Sequence, residues 1–213
     1  MRRILLSTIF FTIIFSAESY AQSFKAGHYY DTTFTKVSGL INSKGTYIWF
    51  KKDKDADKTK IPAADMNSYV ADADSFVVSR MPEMVKIPIV KVLINNPVKL
   101  YVAKQGSKFN WGSVLAGVAI GVGTGISTGV SVIPNMGGNQ AVYYLYGYGP
   151  DDLSTLDAKN FIPVMSGIMS DRPDLVEKIK NKKININNIE KWVNIYNKER
   201  AATTASPTNT EGK

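Results

Sequence analysis

Residues 37–51 read VSGLINSKGTYIWFK. Two runs, 37–41 and 46–51, alternate apolar and polar residues on either side of Asn42-Ser43-Lys44-Gly45. A period of two sends one set of side chains to each face of a strand. Asn, Ser and Gly between two such runs are turn chemistry, so the stretch reads as a β-hairpin. A hairpin joins antiparallel neighbours, and the sheet it opens is therefore antiparallel.

Outward from that hairpin, 24–100 reads as a run of short strands, with 75–80, 89–94 and 98–103 continuing the series. Asn95-Asn96-Pro97 separates the last two, and Pro82 and Pro88 break the region between. Residues 141–148, AVYYLYGY, are a further strand by their aromatic content. It is expected to lie beside 98–103 in one sheet.

After Gly149-Pro150 the pattern turns helical. Leu153, Leu156, Phe161, Val164, Met165 and Ile168 mark 151–169, interrupted by Pro163 and Gly167. Ser170-Asp171-Arg172-Pro173-Asp174 reads as a helix start capped by Ser or Asp, with Leu175, Val176 and Ile179 as its apolar face. Asn187-Asn188 opens a last helix with Ile189, Trp192, Val193 and Tyr196 inward. The fold class is α+β: an antiparallel β-rich body, sandwich or partly open barrel, followed by C-terminal helices. A Gly-rich apolar insertion interrupts two strands.

That insertion is centred on 112–133, GSVLAGVAIGVGTGISTGVSVI, with 6 Gly, 5 Ser or Thr and 11 Val, Ile, Leu or Ala. Gly117, Gly121, Gly125 and Gly129 recur every four residues, a spacing that lets helix backbones approach closely in lipid. Read with period two, the same glycines share a strand face opposite β-branched residues. In water a helix here loses about 1 kcal/mol per interior Gly. In a bilayer about 20 apolar residues suffice to span. The expectation is a connector or hairpin excursion; the alternative is a membrane-inserting or self-associating segment.

Residues 1–21 read as an export signal: Arg2 and Arg3, the apolar run 4–15, then Ser19-Tyr20-Ala21 as a small-x-small cleavage site. There is no Cys, which excludes disulfides, thiol chemistry and a lipid-modified N-terminal cysteine. The expected domains are 22–149, β-rich with an insertion at 109–140, then a helical 150–200 packed on it and a disordered tail at 201–213. The net charge is +8, or +7 once Arg2, Arg3 and Glu18 leave with the signal. For an exported chain that balance suits an anionic membrane surface, an envelope polysaccharide or another envelope protein, and no nucleic acid is expected.

The runs Phe24-Lys25-Ala26-Gly27-His28-Tyr29-Tyr30, Ser38-Gly39-Leu40-Ile41, Ile48-Trp49-Phe50-Lys51 and Asp74-Ser75-Phe76-Val77-Val78 carry a resemblance. Val92-Leu93, Lys99-Leu100-Tyr101, Asp171-Arg172-Pro173-Asp174-Leu175, Ile179 and Tyr196-Asn197 continue it. The chain resembles uncharacterised exported, β-rich proteins of Bacteroidota over most of its length outside 109–140. That implies a β-rich exported body with a helical end, in the periplasm or at the outer membrane, and no particular activity.

Catalytic resources are thin. His28 is the single His, so no zinc-type ligand set or metal site is expected, and no cofactor. Asp53-x-Asp55-x-Asp57 has the spacing of a calcium loop but Lys58 and Ala64 where Gly and Glu belong. Lysines interleave those aspartates, which reads as a solvated loop. Asp151-Asp152 reads as a helix N-terminus. The weak candidates for ligand binding are Tyr143, Tyr144, Tyr146 and Tyr148, aromatic rings able to stack on sugars or to pair in a core. The expectation is a non-enzymatic envelope protein with a structural or binding role.

Overall fold

The computed structural model describes residues 24–105 and 141–205. Ten strands follow in chain order: β1 (Lys25–Asp31), β2 (Lys36–Ser43), β3 (Tyr47–Lys51), β4 (Thr59–Pro62), β5 (Met66–Ala71), β6 (Asp74–Val78), β7 (Ile89–Ile94), β8 (Lys99–Gln105), β9 (Ala141–Gly147) and β10 (Ser154–Thr155). Three helices follow among the described residues: α1 (Phe161–Ile168), α2 (Pro173–Lys180) and α3 (Ile189–Ala205). The α+β reading holds, with the helices C-terminal to an antiparallel sheet.

The hairpin of β2 and β3 forms, but its turn is Lys44-Gly45-Thr46, later than read. Gly45 sits at φ +78°, and the Lys44 N–H donates to the Tyr47 carbonyl at 2.9 Å. Asn42 and Ser43 belong to β2 instead. The reason is tertiary: the Ser43 hydroxyl meets the buried Tyr69 hydroxyl at 2.5 Å, which draws the strand two residues further.

All ten strands form one antiparallel sheet, ordered β10-β9-β8-β7-β6-β5-β1-β2-β3-β4. The hydrogen bonding thus joins the strands in one sheet rather than in the two of a sandwich, of which it gives no confirmation. β4 and β5 stand four places apart yet are joined only by a 3-10 turn, Ala63–Asp65. In a flat sheet they would be about 19 Å apart, at about 4.8 Å per strand. Three residues of 3-10 turn advance only about 6 Å. The β1–β5 part of the sheet must therefore bend.

The bend encloses a core of Ile41, Ile48, Phe50, Met66, Tyr69, Phe76, Val78 and Ile89. Tyr69 and Phe76 stack at 4.4 Å between centroids, and Phe50 meets Tyr29 edge-on at 5.1 Å. Gly39 faces this core because a Cβ there would lie 2.6 Å from the Phe50 ring. Further along the same face, Ile94, Leu100, Val102 and Tyr144 are covered by Phe161, Met165, Leu175, Ile179, Ile189, Val193 and Tyr196 from the helices. The opposite face of β7–β9 has its own core, Val90, Tyr101, Ala103 and Leu145, with Met84, Ile87 and Leu153 packed against it.

Two polar clamps tie these parts together. Arg80 donates from Nη2 to the Met66 carbonyl at 2.8 Å, and its backbone N–H donates to Asp151 Oδ1 at 2.6 Å. It thus links the β4–β5 turn to the turn before β10. The buried Tyr196 hydroxyl donates to Asp171 at 2.9 Å and accepts from Asn96 Nδ2 at 2.8 Å, and that amide also reaches the Ile168 carbonyl at 2.6 Å. The β7–β8 turn, α1 and α3 meet at that hydroxyl.

The helical end departs from the sequence reading in four places. Asp151 and Asp152 lie in a turn and start no helix, because Asp151 is engaged by Arg80. The first helix begins at Phe161, after Asp157 and Asn160 accept each other's backbone N–H at 3.0 and 2.8 Å. Neither Ser170 nor Asp171 caps α2: Arg172 holds that position with Pro173 following, and Asp171 serves Tyr196. α3 continues to Ala205, five residues into the stretch expected to be a disordered tail. Ala201 and Thr203 are good enough helix residues once Tyr196 and Val193 anchor the preceding turns.

The expected neighbours are neighbours. β8 and β9 pair from Lys99 opposite Gly147 to Gln105 opposite Ala141. Residues 1–21, read as an export signal, the insertion with Gly117, Gly121, Gly125 and Gly129, and 206–213 lie outside the described residues. Because Gln105 and Ala141 are register partners, a two-residue Asn-Gly turn can replace 107–139. Loop-closure entropy changes by only about 0.6 kcal/mol per doubling of length. The shortened chain is expected to keep its far-ultraviolet circular dichroism and a melting temperature at or above that of the parent. A drop beyond 10 °C on a thermal melt, about 2.5–5 kcal/mol for a domain of this size, would contradict it.

Candidate functional site

The register decides which sequence tyrosines share a surface. On β9, Tyr144 and Tyr146 face the helices, while Tyr143 and Leu145 face the other way. Tyr144 is buried and its hydroxyl donates to Glu190 Oε1 at 2.9 Å. Burial first, then the Glu190 charge, raises its pKa well above the usual phenol value. Tyr146 is partly buried against the same core. Tyr148, beyond the strand end, is 69% exposed. The four do not form one aromatic platform: the pleat distributes three of them over two faces, and only Tyr148 is displayed.

Tyr148 instead joins a groove that the sequence did not reveal. Ser68, Val70, Ser75, Val77, Val92, Lys99 and Tyr101 line it from β5 to β8, with Gly149 and Pro150 beside Tyr148. Cross-strand pairs share a face, and Ser68–Val77, Val70–Ser75 and Val92–Tyr101 are such pairs. These residues therefore share one side of the sheet, opposite Leu100 and Val102, and Asn197 of α3 also lines the groove. The groove has a volume of about 540 Å³, within the usual size range of small-ligand sites. Lys99 Nζ donates to the Tyr148 carbonyl at 3.1 Å, holding the rim to the floor.

Tyr101 is the notable member. It is 1% exposed, and its ring belongs to the core of Val90, Ala103 and Leu145. Its hydroxyl has no hydrogen-bond partner among the described residues, yet the residue lines the groove. Burial, with the nearby Asp152 charge, pushes its pKa up to about 12, so it is a neutral O–H donor at neutral pH. The ring is buried while the hydroxyl, which is not an enclosed atom, can donate to whatever occupies the groove. Sequence reasoning missed it because Leu100-Tyr101-Val102-Ala103 is apolar on both strand faces, and nothing marks one face as open.

The other sequence candidates are dispersed. His28 lies on the outer face of β1, edge-on to Tyr30 at 5.3 Å, its pKa lowered by desolvation and then by Lys36. Asp53 Oδ1 accepts the N–H groups of Asp55 and Ala56 at 3.0 and 2.8 Å, closing its own loop. Among the described residues no three acidic or His groups are placed to hold a metal, and no helix is long and apolar enough to cross a membrane. Asp151 is taken by Arg80, and Asp152 Oδ2 accepts from the Tyr148 N–H at 3.5 Å. No family model, curated protein or solved structure matches the chain.

The different settings of Tyr144 and Tyr148 give a direct contrast. Tyr144→Ala, which empties a core site, is expected to cost about 3–5 kcal/mol in a urea titration. Tyr148→Ala should stay within about 0.5 kcal/mol, as exposed positions do. Equal costs would contradict the placement of the two rings.

Proposed function

We propose that this chain is an exported, non-enzymatic binding protein of the cell envelope whose groove holds a neutral sugar unit of a polysaccharide. The observation that carries the reading is Tyr101: a buried ring whose hydroxyl has no hydrogen-bond partner among the described residues, on a polar and apolar groove about 540 Å³ in volume. Ser68, Ser75 and Asn95 offer further donors and acceptors, and Tyr148 offers a ring face. Sugars present hydroxyl edges and a C–H face, which is the complement of such a lining. Export is supported by Arg2, Arg3, the apolar run 4–15 and the Ser19-Tyr20-Ala21 site. The short β4–β5 link supports reading β1–β5 as a partly open barrel, with the groove beginning on the outside of β5.

A second reading has one observation in its favour. Gln105 and Ala141 are paired, so the segment between them leaves and rejoins the sheet at one point. A membrane-inserting or self-associating role for Gly117, Gly121, Gly125 and Gly129 needs such an attachment, which leaves the register of the sheet untouched.

The binding reading is tested by calorimetric titration of the full chain with maltohexaose, cellohexaose and xylohexaose. At least one is expected to bind. Tyr101→Phe keeps the ring packing and removes the hydroxyl; it should weaken that binding about 5-fold, the worth of a hydrogen bond of about 1 kcal/mol. Binding unchanged in both Tyr101→Phe and Tyr148→Ala, or no binding at all, would refute it.

A further inference from the structure

β3 and β4 carry a surface of different chemistry from the groove. Ile48 and Phe50 point into the core, so Tyr47, Trp49 and Lys51 point outward. The register sets Trp49 opposite Lys60 and Tyr47 opposite Pro62. Lys60 Nζ lies 4.4 Å from the Tyr47 ring centroid, and Lys58 Nζ lies 4.9 Å from that of Trp49. The two rings meet edge-on at 5.8 Å. Both lysines are exposed and make no ion pair among the described residues. Asp53, Asp55 and Asp57 lie just ahead in the loop, but Asp53 is bonded to its own backbone and none pairs with Lys58 or Lys60. Lys58 and Lys60 rest on aromatic faces rather than on the neighbouring carboxylates. Beyond β4 the sheet has no further strand among the described residues, so this face is open at its edge.

We propose that Trp49, Tyr47, Lys58 and Lys60 bind an acidic polysaccharide along the β4 edge. An ammonium over an indole or phenol face is held by about 0.5–1 kcal/mol at an exposed site. That is weak enough to exchange. A carboxylate-bearing sugar chain takes the lysines as counter-ions, and the rings they leave are free to stack on its C–H faces. Lys58, just ahead of β4, and Lys60, within it, are two residues apart, about 6.6 Å at about 3.3 Å per extended residue. They therefore meet a polymer with repeated charge better than a single anion. Choosing sugar polymer as the polyanion rests on the export reading above; the surface itself does not involve the groove.

The test is equilibrium binding of the full chain to polygalacturonate across a salt series, with dextran, poly-dT and phosphatidylglycerol vesicles as the other arms. Binding to polygalacturonate and not to dextran is expected. Lys58→Gln with Lys60→Gln should weaken it at least tenfold and lower the slope of log affinity against log salt by about two. Lys58→Arg with Lys60→Arg should retain it, and Trp49→Ala should weaken it with circular dichroism unchanged. Tyr101→Phe should bind polygalacturonate like the parent. If Tyr101→Phe loses that binding while the Gln pair keeps it, the acidic chain sits in the groove and this inference fails, while the groove reading stands. Tighter binding to poly-dT or to vesicles, or no binding to polygalacturonate, overturns it as well.

Discussion

Three residues, Ala63–Asp65, join strands that stand four places apart in the sheet, and much of the architecture follows from that short link. A flat antiparallel sheet could not be connected so. Bending brings β4 and β5 within reach and turns one face of β1–β5 inward, where Ile48, Phe50, Met66, Tyr69 and Phe76 bury one another. Arg80 fixes the bend by holding the Met66 carbonyl, a charge-assisted bond of the stronger kind. The outer face of the bend carries the Trp49 surface on β3 and β4, and its β5 edge borders the groove that runs on to β8.

From β7 to β9 both faces of the sheet carry apolar residues, and each needs cover. α1–α3 supply it on one face, and the 79–88 segment with Leu153 supplies it on the other. The groove opens where that second cover stops short, at Val92 and Tyr101. Lys91 marks the corresponding boundary on the helix side: it is mostly buried and held by Asp74 at 2.6 Å. Burying such a charge is tolerable only with a partner.

Much of the fold was legible because the pattern is local. The 37–51 alternation, the Asn95-Asn96-Pro97 break and the 141–148 run located strands within a few residues, and Leu175, Ile179, Val193 and Tyr196 are buried as their spacing implied. β4 was not singled out, since Thr59-Lys60-Ile61-Pro62 is short and carries Pro and Lys, as an edge strand does. The single sheet was not legible either, because strand order depends on the reach of a three-residue link rather than on any strand's composition. Of the candidate tyrosines only Tyr148 lies on the groove. Tyr101 was invisible for a related reason: which side of an all-apolar strand stays open is set by distant segments. Asp151 misled by resembling a cap when its partner, Arg80, is 71 positions away.

The claim at the centre of this account is that the face of β5–β8 opposite Leu100 and Val102 is a ligand surface. An amide-resolved NMR titration of the full chain with the oligosaccharide that binds tests it most directly. Shifts are expected at Ser68, Ser75, Val92, Tyr101 and Tyr148, with α2 and the helix side of β9 unmoved. Saturable shifts confined to α2 or to the helix side of the sheet, with those five residues unaffected, would contradict it.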